Sequence, residues 1–314
     1  MTRSRVSVPL FAWHLLAAIT AGAAGVLAFA PFRWWPFALV SLAVLFAIWC
    51  RAGSAVRGFA LGFAWGLGFF GAGVSWIYVS LHVYGNMPAL LAGLSTFLFC
   101  CYLALYPAAA GLVSLWLSRR LRLGTGAALL LVMPACFSLT EYLRGWVVTG
   151  FPWLTIGYSQ APGDFLDVPL SGFAPLAGVH AISWLLALSA AMLLSLYRPA
   201  CGILLGTRGY SWMLIILVAI WGAGAGLRTI EWSRPDGSAV TVALLQGNVP
   251  QELKWRADQQ DNTLRVYAEL VQKSRARLIV MPETALPGFL DQIPEEFLRS
   301  LGQLAAKNGG DLIV

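Results

Sequence analysis

The chain has 314 residues, of which 59% are hydrophobic and only 11% charged, with a mean hydropathy of +0.72. A soluble domain carries about 25% charged residues, so there is too little charge here to coat a water-facing surface. A pI of 9.4 does not signal nucleic-acid binding: residues 1–230 hold 12 Arg, no Lys and 3 acids, while 231–314 hold 9 Lys+Arg and 11 acids, so the basic excess lies beside apolar spans, where it orients helices.

A bilayer core of about 30 Å needs roughly 20 apolar residues per helix. Seven such segments are predicted, at about 10–30, 35–50, 57–81, 88–117, 124–143, 175–197 and 211–229; the second is short and the fourth long. Ala28-Phe29-Ala30 resembles a signal-peptide cleavage site, but the preceding apolar run exceeds the 7–15 residues of a signal core, so a retained span is expected. With a cytoplasmic N-terminus, the inside segments hold Arg3, Arg5, Arg51, Arg57, Arg119, Arg120, Arg122, Arg198 and Arg208, and the outside loops between spans hold only Arg33 and Arg144. That asymmetry obeys the positive-inside rule, and seven crossings then place everything from 231 onward outside the cytoplasm.

Within the span region, three features stand out. Residues 144–174 are apolar yet broken by Gly and Pro. Irregular backbone at membrane depth survives only where protein or a wet cavity satisfies it, so the stretch reads either as a re-entrant loop walling a lipid site or as an aromatic-belt loop with Trp146, Trp153 and Tyr158 at headgroup level. Glu141 and Arg144, three apart at the end of the fifth span, form a structural ion pair on the favoured reading, although intramembrane ionisable groups are functional candidates by default. The glycines of the third span (Gly58, Gly62, Gly66, Gly68, Gly71, Gly73) indicate close helix packing. His14 and His180 lack a second ligand at i+3 or i+4, and Cys50, Cys100, Cys101, Cys136 and Cys201 form no CxxC or Cys/His spacing. No metal site, cofactor site or disulfide framework is therefore expected.

From Ser233 the composition changes. Val240–Leu245 is β-rich, residues 258–273 carry apolar positions at helical spacing, and Arg277–Met281 forms the next strand. Pro294 opens a helix with Glu295 and Glu296 in its first turn, and Asp311–Val314 begins a third strand. A β-α-β-α-β order predicts an α/β sheet whose ligands gather at the strands' carboxyl ends. Glu283 lies at such an end. A carboxylate leaving an apolar strand loses hydration and becomes a stronger general base; the competing reading is a Glu that caps its loop by accepting backbone N–H bonds.

Several stretches carry a resemblance: Ala30-Pro-Phe-Arg-Trp-Trp-Pro36, Gly73-Val-Ser-Trp-Ile-Tyr-Val79, Thr140-Glu-Tyr-Leu-Arg-Gly-Trp146, Thr149-Gly-Phe-Pro-Trp-Leu154 and Gly157-Tyr-Ser-Gln160, then Gln246-Gly-Asn-Val-Pro250, Lys254-Trp255 and Pro282-Glu-Thr-Ala-Leu-Pro287. Together they resemble the apolipoprotein N-acyltransferase family, membrane-bound members of the nitrilase-like carbon–nitrogen hydrolase superfamily. The resemblance implies a polytopic α-helical bundle (residues 1–230, about seven spans) followed by the start of an α/β nitrilase-like domain (231–314) on the far side of a bacterial inner membrane. It also implies transfer of an acyl chain from a phospholipid to the diacylglyceryl-cysteine of an apolipoprotein, through a thioester on a Glu–Lys–Cys triad. Glu283 matches the family's Glu. Trp255 matches its Trp and is expected to shape the mouth of the site, unless it merely packs. All five cysteines precede residue 202, and the lone lysine after Glu283, Lys307, reads as a solvated or dipole-complementing residue near a helix end. The resemblance places the family's Lys and Cys further along, so the chain is expected to be a truncated copy, inactive alone, with an open sheet edge that invites aggregation. The alternatives are a membrane-anchored amidase relative and a non-catalytic lipid-binding module.

Overall fold

The computed structural model describes residues 8–161, 168–197, 201, 206–289, 292–307 and 309–314. Arg3, Arg5 and Arg198 of the positive-inside count lie outside the described residues. The chain forms two compact units, Met1–Trp232 and Ser233–Val314.

The first unit is helical: α1 (Val8–Gly25), α2 (Pro36–Arg51), α3 (Ala55–Gly73), the single turn α4 (Trp76–Val79), α5 (Ala89–Arg120), the short α6 (Thr125–Ala127) running through a π turn into α7 (Met133–Arg144), α8 (Ala174–Leu196) and α9 (Thr207–Leu227). Every predicted span overlaps one of these helices. The third differs most: instead of reaching 81, α3 stops at Gly73, because Val74 leaves helical geometry at φ −121° and ψ 15°. Among the described residues six helical segments are long and apolar enough to cross a membrane, and Pro36–Arg51 is shorter.

At about 1.5 Å per residue the 16 residues of α2 reach only about 24 Å, yet the packing shows that they return the full depth of the bundle. Arg57 of α3 lies over Phe11 of α1, 5.4 Å from the ring centroid, and further along both helices Gly68 abuts the Ile19 carbonyl. So α1 and α3 run parallel. Between them α2 runs the other way: Ser41 Oγ donates to Ala21 O at 2.7 Å and accepts from Trp65 Nε1 at 2.9 Å, while Trp49 Nε1, nearer the other end, donates to Gly58 O at 3.1 Å. A short helix is tolerated because Leu42, Leu45, Phe46 and Trp49 are fully buried in protein, so α2 need not match the lipid thickness.

Contact between α3 and α5 sets the closest approach. Their antiparallel register places Gly58 on Gly111, Gly62 on Pro107 and Gly66 on Ala104; a Cβ added at Gly62 would lie 2.2 Å from the Pro107 carbonyl oxygen. This is the small-residue packing read from the sequence, in which van der Waals contact replaces the missing hydrophobic drive. Alternation continues. Tyr102 of α5 donates to Val147 O, just past α7, at 3.3 Å; Tyr142 of α7 meets His180 of α8 with ring centroids 5.0 Å apart; and Trp221 Nε1 of α9 donates to Ser189 Oγ of α8 at 3.0 Å. Seven alternating helices bring the start of α1 and the end of α9 to opposite ends of the unit. All five cysteines are free thiols.

The second unit is a three-stranded parallel sheet, β1 (Val242–Leu244), β2 (Leu278–Val280) and β3 (Asp311–Ile313) in that order, with α10 (Gln260–Lys273) and α11 (Glu295–Lys307) as crossovers. Ala243, Ile279 and Leu312 are in register, and Ile279 is buried with Tyr267, Val271, Leu301 and Ala305 in a core shared with both helices. On the opposite face Val242, Leu244 and Ile313 are exposed.

Gly62→Ala is expected to destabilise the helical unit by about 1–3 kcal/mol, the usual cost of overpacking. Gly93→Ala, whose Cβ meets open space, should be neutral or slightly stabilising. Thermal unfolding in detergent reads both, and equal effects would contradict the packing account.

Candidate functional site

In the first unit the polar chemistry collects where α7 ends. Glu141 and Arg144 are 6% and 3% exposed, with the guanidinium 4.0 Å from the carboxylate. Their main bonds go elsewhere. Glu141 Oε1 accepts from Ile156 N at 2.7 Å, Arg144 Nη1 donates to the carbonyls of Phe151 and Trp153, and the guanidinium lies 5.2 Å from the Phe70 ring centroid. Residues 151–155, which lie outside any helix, and Ile156, which opens a short 3-10 turn, are thus held by two buried charges. Gly157 N donates to Ser183 Oγ at 2.9 Å and ties the next turn to α8. The pair is the structural one favoured from sequence, and its partner is the loop.

The fastened loop walls an aromatic groove of about 680 Å³ whose lining includes Phe29, Phe32, Trp76, Trp153, Leu154 and Tyr158. Trp76 and Trp153 stand 5.4 Å apart. Both readings of residues 144–174 are therefore partly realised. Thr155, Ile156, Ser159 and Gln160 are buried against the bundle, while Trp146, Trp153 and Tyr158 are exposed as belt residues are.

In the second unit, the loops leaving β1 and β2 border a polar cleft of about 220 Å³, lined by residues that include Gln246, Asn248, Lys254, Tyr267 and Thr284. Asn248 and Thr284 take left-handed backbone at φ 49° and 56°. Tyr267 rises from α10 beneath Gly247, where a Cβ would lie 2.8 Å from its ring. Lys254 Nζ donates to the Glu283 backbone carbonyl at 3.4 Å, and Thr284 Oγ1 donates to the same oxygen at 2.7 Å. The Glu283 loop is therefore tethered to the 246–256 segment through its main chain.

Both expected site residues are exposed. Glu283 sits at the strand end as read, but its side chain is exposed, so the dehydration expected of it is absent: one layer of helices leaves the loop tip uncovered. Trp255 is 64% exposed and stands outside the cleft lining. The turn 250–256, closed by Leu253 N to Pro250 O at 3.0 Å and Arg256 N to Leu253 O at 3.2 Å, points Lys254 inward and Trp255 outward. Lys254 is the residue that sequence reasoning passed over; its place in the Lys-Trp pair was the available signal. Just beyond, Arg256 grips both carboxylate oxygens of Asp258, at 3.0 and 2.8 Å, and holds that carboxyl below the ordinary aspartate range.

Residues 21–192 match the family model described as the apolipoprotein N-acyltransferase N-terminal domain. Curated proteins named apolipoprotein N-acyltransferase are similar along almost the whole chain. One from Nitrosomonas europaea is 43% identical over 302 residues, covering 96% of this chain and 58% of its own length. Another, from Chromobacterium violaceum, is 44% identical over 295 residues (94% and 54%), and a third, from Coxiella burnetii, is 40% identical over 298 residues (94% and 58%). The chain spans little more than half the length of these relatives.

Glu141→Ala should leave the Arg144 charge buried without its counter-ion, a loss of about 3–5 kcal/mol, and free the Ile156 amide. Hydrogen exchange across residues 151–157 is expected to rise sharply in detergent. Unchanged protection there would show that the loop holds without the pair.

Proposed function

The chain belongs to the apolipoprotein N-acyltransferase family, and from that premise we propose that the complete protein moves an acyl chain from a membrane phospholipid to the α-amino group of a lipoprotein's diacylglyceryl-cysteine. The observation that carries the proposal is the continuity of the likeness: proteins of that name match this sequence through both the helical unit and the Pro282-Glu283 strand end.

The chemistry is a two-step exchange. A thiolate attacks the phospholipid ester carbonyl, the lysophospholipid alcohol leaves with a proton, and a thioester remains; the lipoprotein amine then attacks the thioester, giving an amide and the free thiol. Glu283 is the proposed proton carrier, taking the thiol proton, delivering it to the departing alkoxide, and later taking the amine's. No cysteine lies in residues 233–314, so this sequence supplies one member of the proposed triad. Glu283 is exposed, so the proposal requires bound substrate or further protein to exclude water from it. Lys254 contributes by anchoring the Glu283 carbonyl, and Trp255, on the exposed rim of the same turn, is the proposed contact for the lipid substrate.

We further propose that residues 1–230 are the membrane domain and 231–314 an extracytoplasmic nitrilase-like domain, in a bacterial inner membrane. Support comes from the alternation of seven helices and from the position of Arg51, Arg57, Arg119, Arg120, Arg122 and Arg208 at one set of helix ends.

Joining this chain in register to the remaining part of the Nitrosomonas europaea relative should give an enzyme that acylates a diacylglyceryl-cysteine peptide from labelled phospholipid. In that protein Glu283→Gln should lower the rate about 10²–10⁴-fold, the range expected for a lost general base; near-normal turnover would remove Glu283 from the mechanism. Orientation has a separate check. In a cysteine-free variant, single cysteines placed at Gly53 and Asn86 should react with an impermeant maleimide from opposite sides of the membrane, and labelling from one side only would contradict the topology.

A further inference from the structure

A second groove of the helical unit, of about 460 Å³, runs between the 157–161 turn, the start of α8 and the end of α9, with Tyr158, Gln160, Val179, Ile182, Leu227 and Arg228 among its lining residues. Its walls are preformed. Gly157 is tied to Ser183, and Gly172 meets α9 so closely that a Cβ there would lie 2.0 Å from the Gly224 carbonyl oxygen. The walls are mostly apolar, yet Gln160 is only 1% exposed and neither its Nε2 nor its Oε1 has a hydrogen-bond partner. Leaving both halves of a buried carboxamide unsatisfied is costly, and native proteins rarely do so without a ligand or water to answer it. Ser159 Oγ, one residue earlier, is also buried and unpartnered. Trp232 and Arg228 stand on the same groove, at the end of α9, where an amphipathic ring and a positive charge suit the lipid headgroup level.

We propose that this groove holds one intact glycerophospholipid of the surrounding bilayer, with Gln160 as its polar anchor. The inference rests on the bundle being membrane-embedded and goes beyond the acyl donor of the proposed reaction. Among the described residues no carboxylate, thiol, imidazole or lysine lines the groove, and the proposed lipid is bound there and not consumed. An acyl chain lies along Val179, Ile182, Leu227 and Ile230. The amide N–H groups donate to ester or phosphate oxygens. Because Gln160 offers an acceptor as well as donors, the matching headgroup carries its own N–H or O–H. Ethanolamine and glycerol headgroups satisfy both halves of the amide; a choline headgroup satisfies only the donors.

Purified full-length chain is exchanged into nanodiscs of phosphatidylethanolamine with phosphatidylglycerol, or of phosphatidylcholine, then released into mild detergent, and lipid retained per chain is counted by native mass spectrometry. About one tightly held lipid from the first mixture is expected, with retention about tenfold lower from phosphatidylcholine and about tenfold lower for Gln160→Leu, the factor carried by one buried hydrogen bond. Leu227→Trp, which fills the groove and leaves the amide in place, should also expel the lipid, and it serves if Gln160→Leu fails to fold. No retained lipid, equal retention of both headgroup classes, or undiminished retention by Leu227→Trp would each overturn the proposal, the first leaving ordered water only at Gln160. Lipid count and acyl transfer are separate readouts, so failure of one leaves the other standing.

Discussion

Backbone that leaves helical geometry inside an apolar bundle must find hydrogen-bond partners in protein, and residues 151–156 find theirs in Glu141 and Arg144. Neither charge would be tolerable alone at 6% and 3% exposure. Together, and with four backbone and ring contacts between them, they exchange hydration for the carbonyls and amide of a loop that has the matching deficit. The aromatic groove depends on that exchange, since Trp153 and Leu154 are its wall and are also the residues the pair holds. So does the second groove, because Tyr158 and Gln160 follow from the same fastened turn.

The helix count rests on a similar economy. A 16-residue helix facing lipid would leave a mismatch with the hydrocarbon core, but α2 faces protein along most of its length, with Trp49 donating to Gly58 and Ser41 bridging Ala21 and Trp65. Parallel α1 and α3 require a return path between residues 26 and 54, and α2 is the segment that supplies it. Span length alone gives six candidates and an even parity. Packing direction gives seven alternating helices, and parity is what decides which end of the bundle the second unit follows from.

Much of this was legible in the chain itself. Apolar runs, the four-residue spacing of Gly58, Gly62 and Gly66, and the alternation of β-rich and helical periods are local signals, and each element appeared near its expected place. What failed to show was whatever depends on side-chain direction or on which neighbours are present. Glu283 was placed correctly at a strand end, but its exposure depends on how many layers cover that end. A match to a family motif does not tell which way either side chain of the Lys-Trp pair points; the geometry of the 250–256 turn puts Lys254 on the cleft and leaves Trp255 exposed. Gln160 was quoted only as part of a matching stretch. Nothing in sequence periodicity reveals that a glutamine will be enclosed without a partner, since that emerges only from the packing of α8 and α9 around the turn.

The strands themselves say what kind of surroundings they are built for. In register across the sheet, Ala243, Ile279 and Leu312 face the helices, but Val242, Leu244, Leu278, Val280 and Ile313, which alternate with them, are apolar too, Asp311 at the start of β3 being the exception. A strand with one wet face would alternate apolar and polar residues; parallel strands apolar on both faces are those of a sheet covered on both sides. Leu244, 78% exposed, is at odds with water in a way that Glu283 is not. The two observations belong together. A layer packed on the Val242–Leu244 face would bury apolar surface as a stabilising contribution, and the same layer, rising past the strand ends, would remove water from the loop that Lys254 already tethers. On the proposed function, keeping water from Glu283 therefore falls to that cover and not to the strand end alone: covering the sheet's second hydrophobic face and enclosing its strand-end loop are one physical requirement.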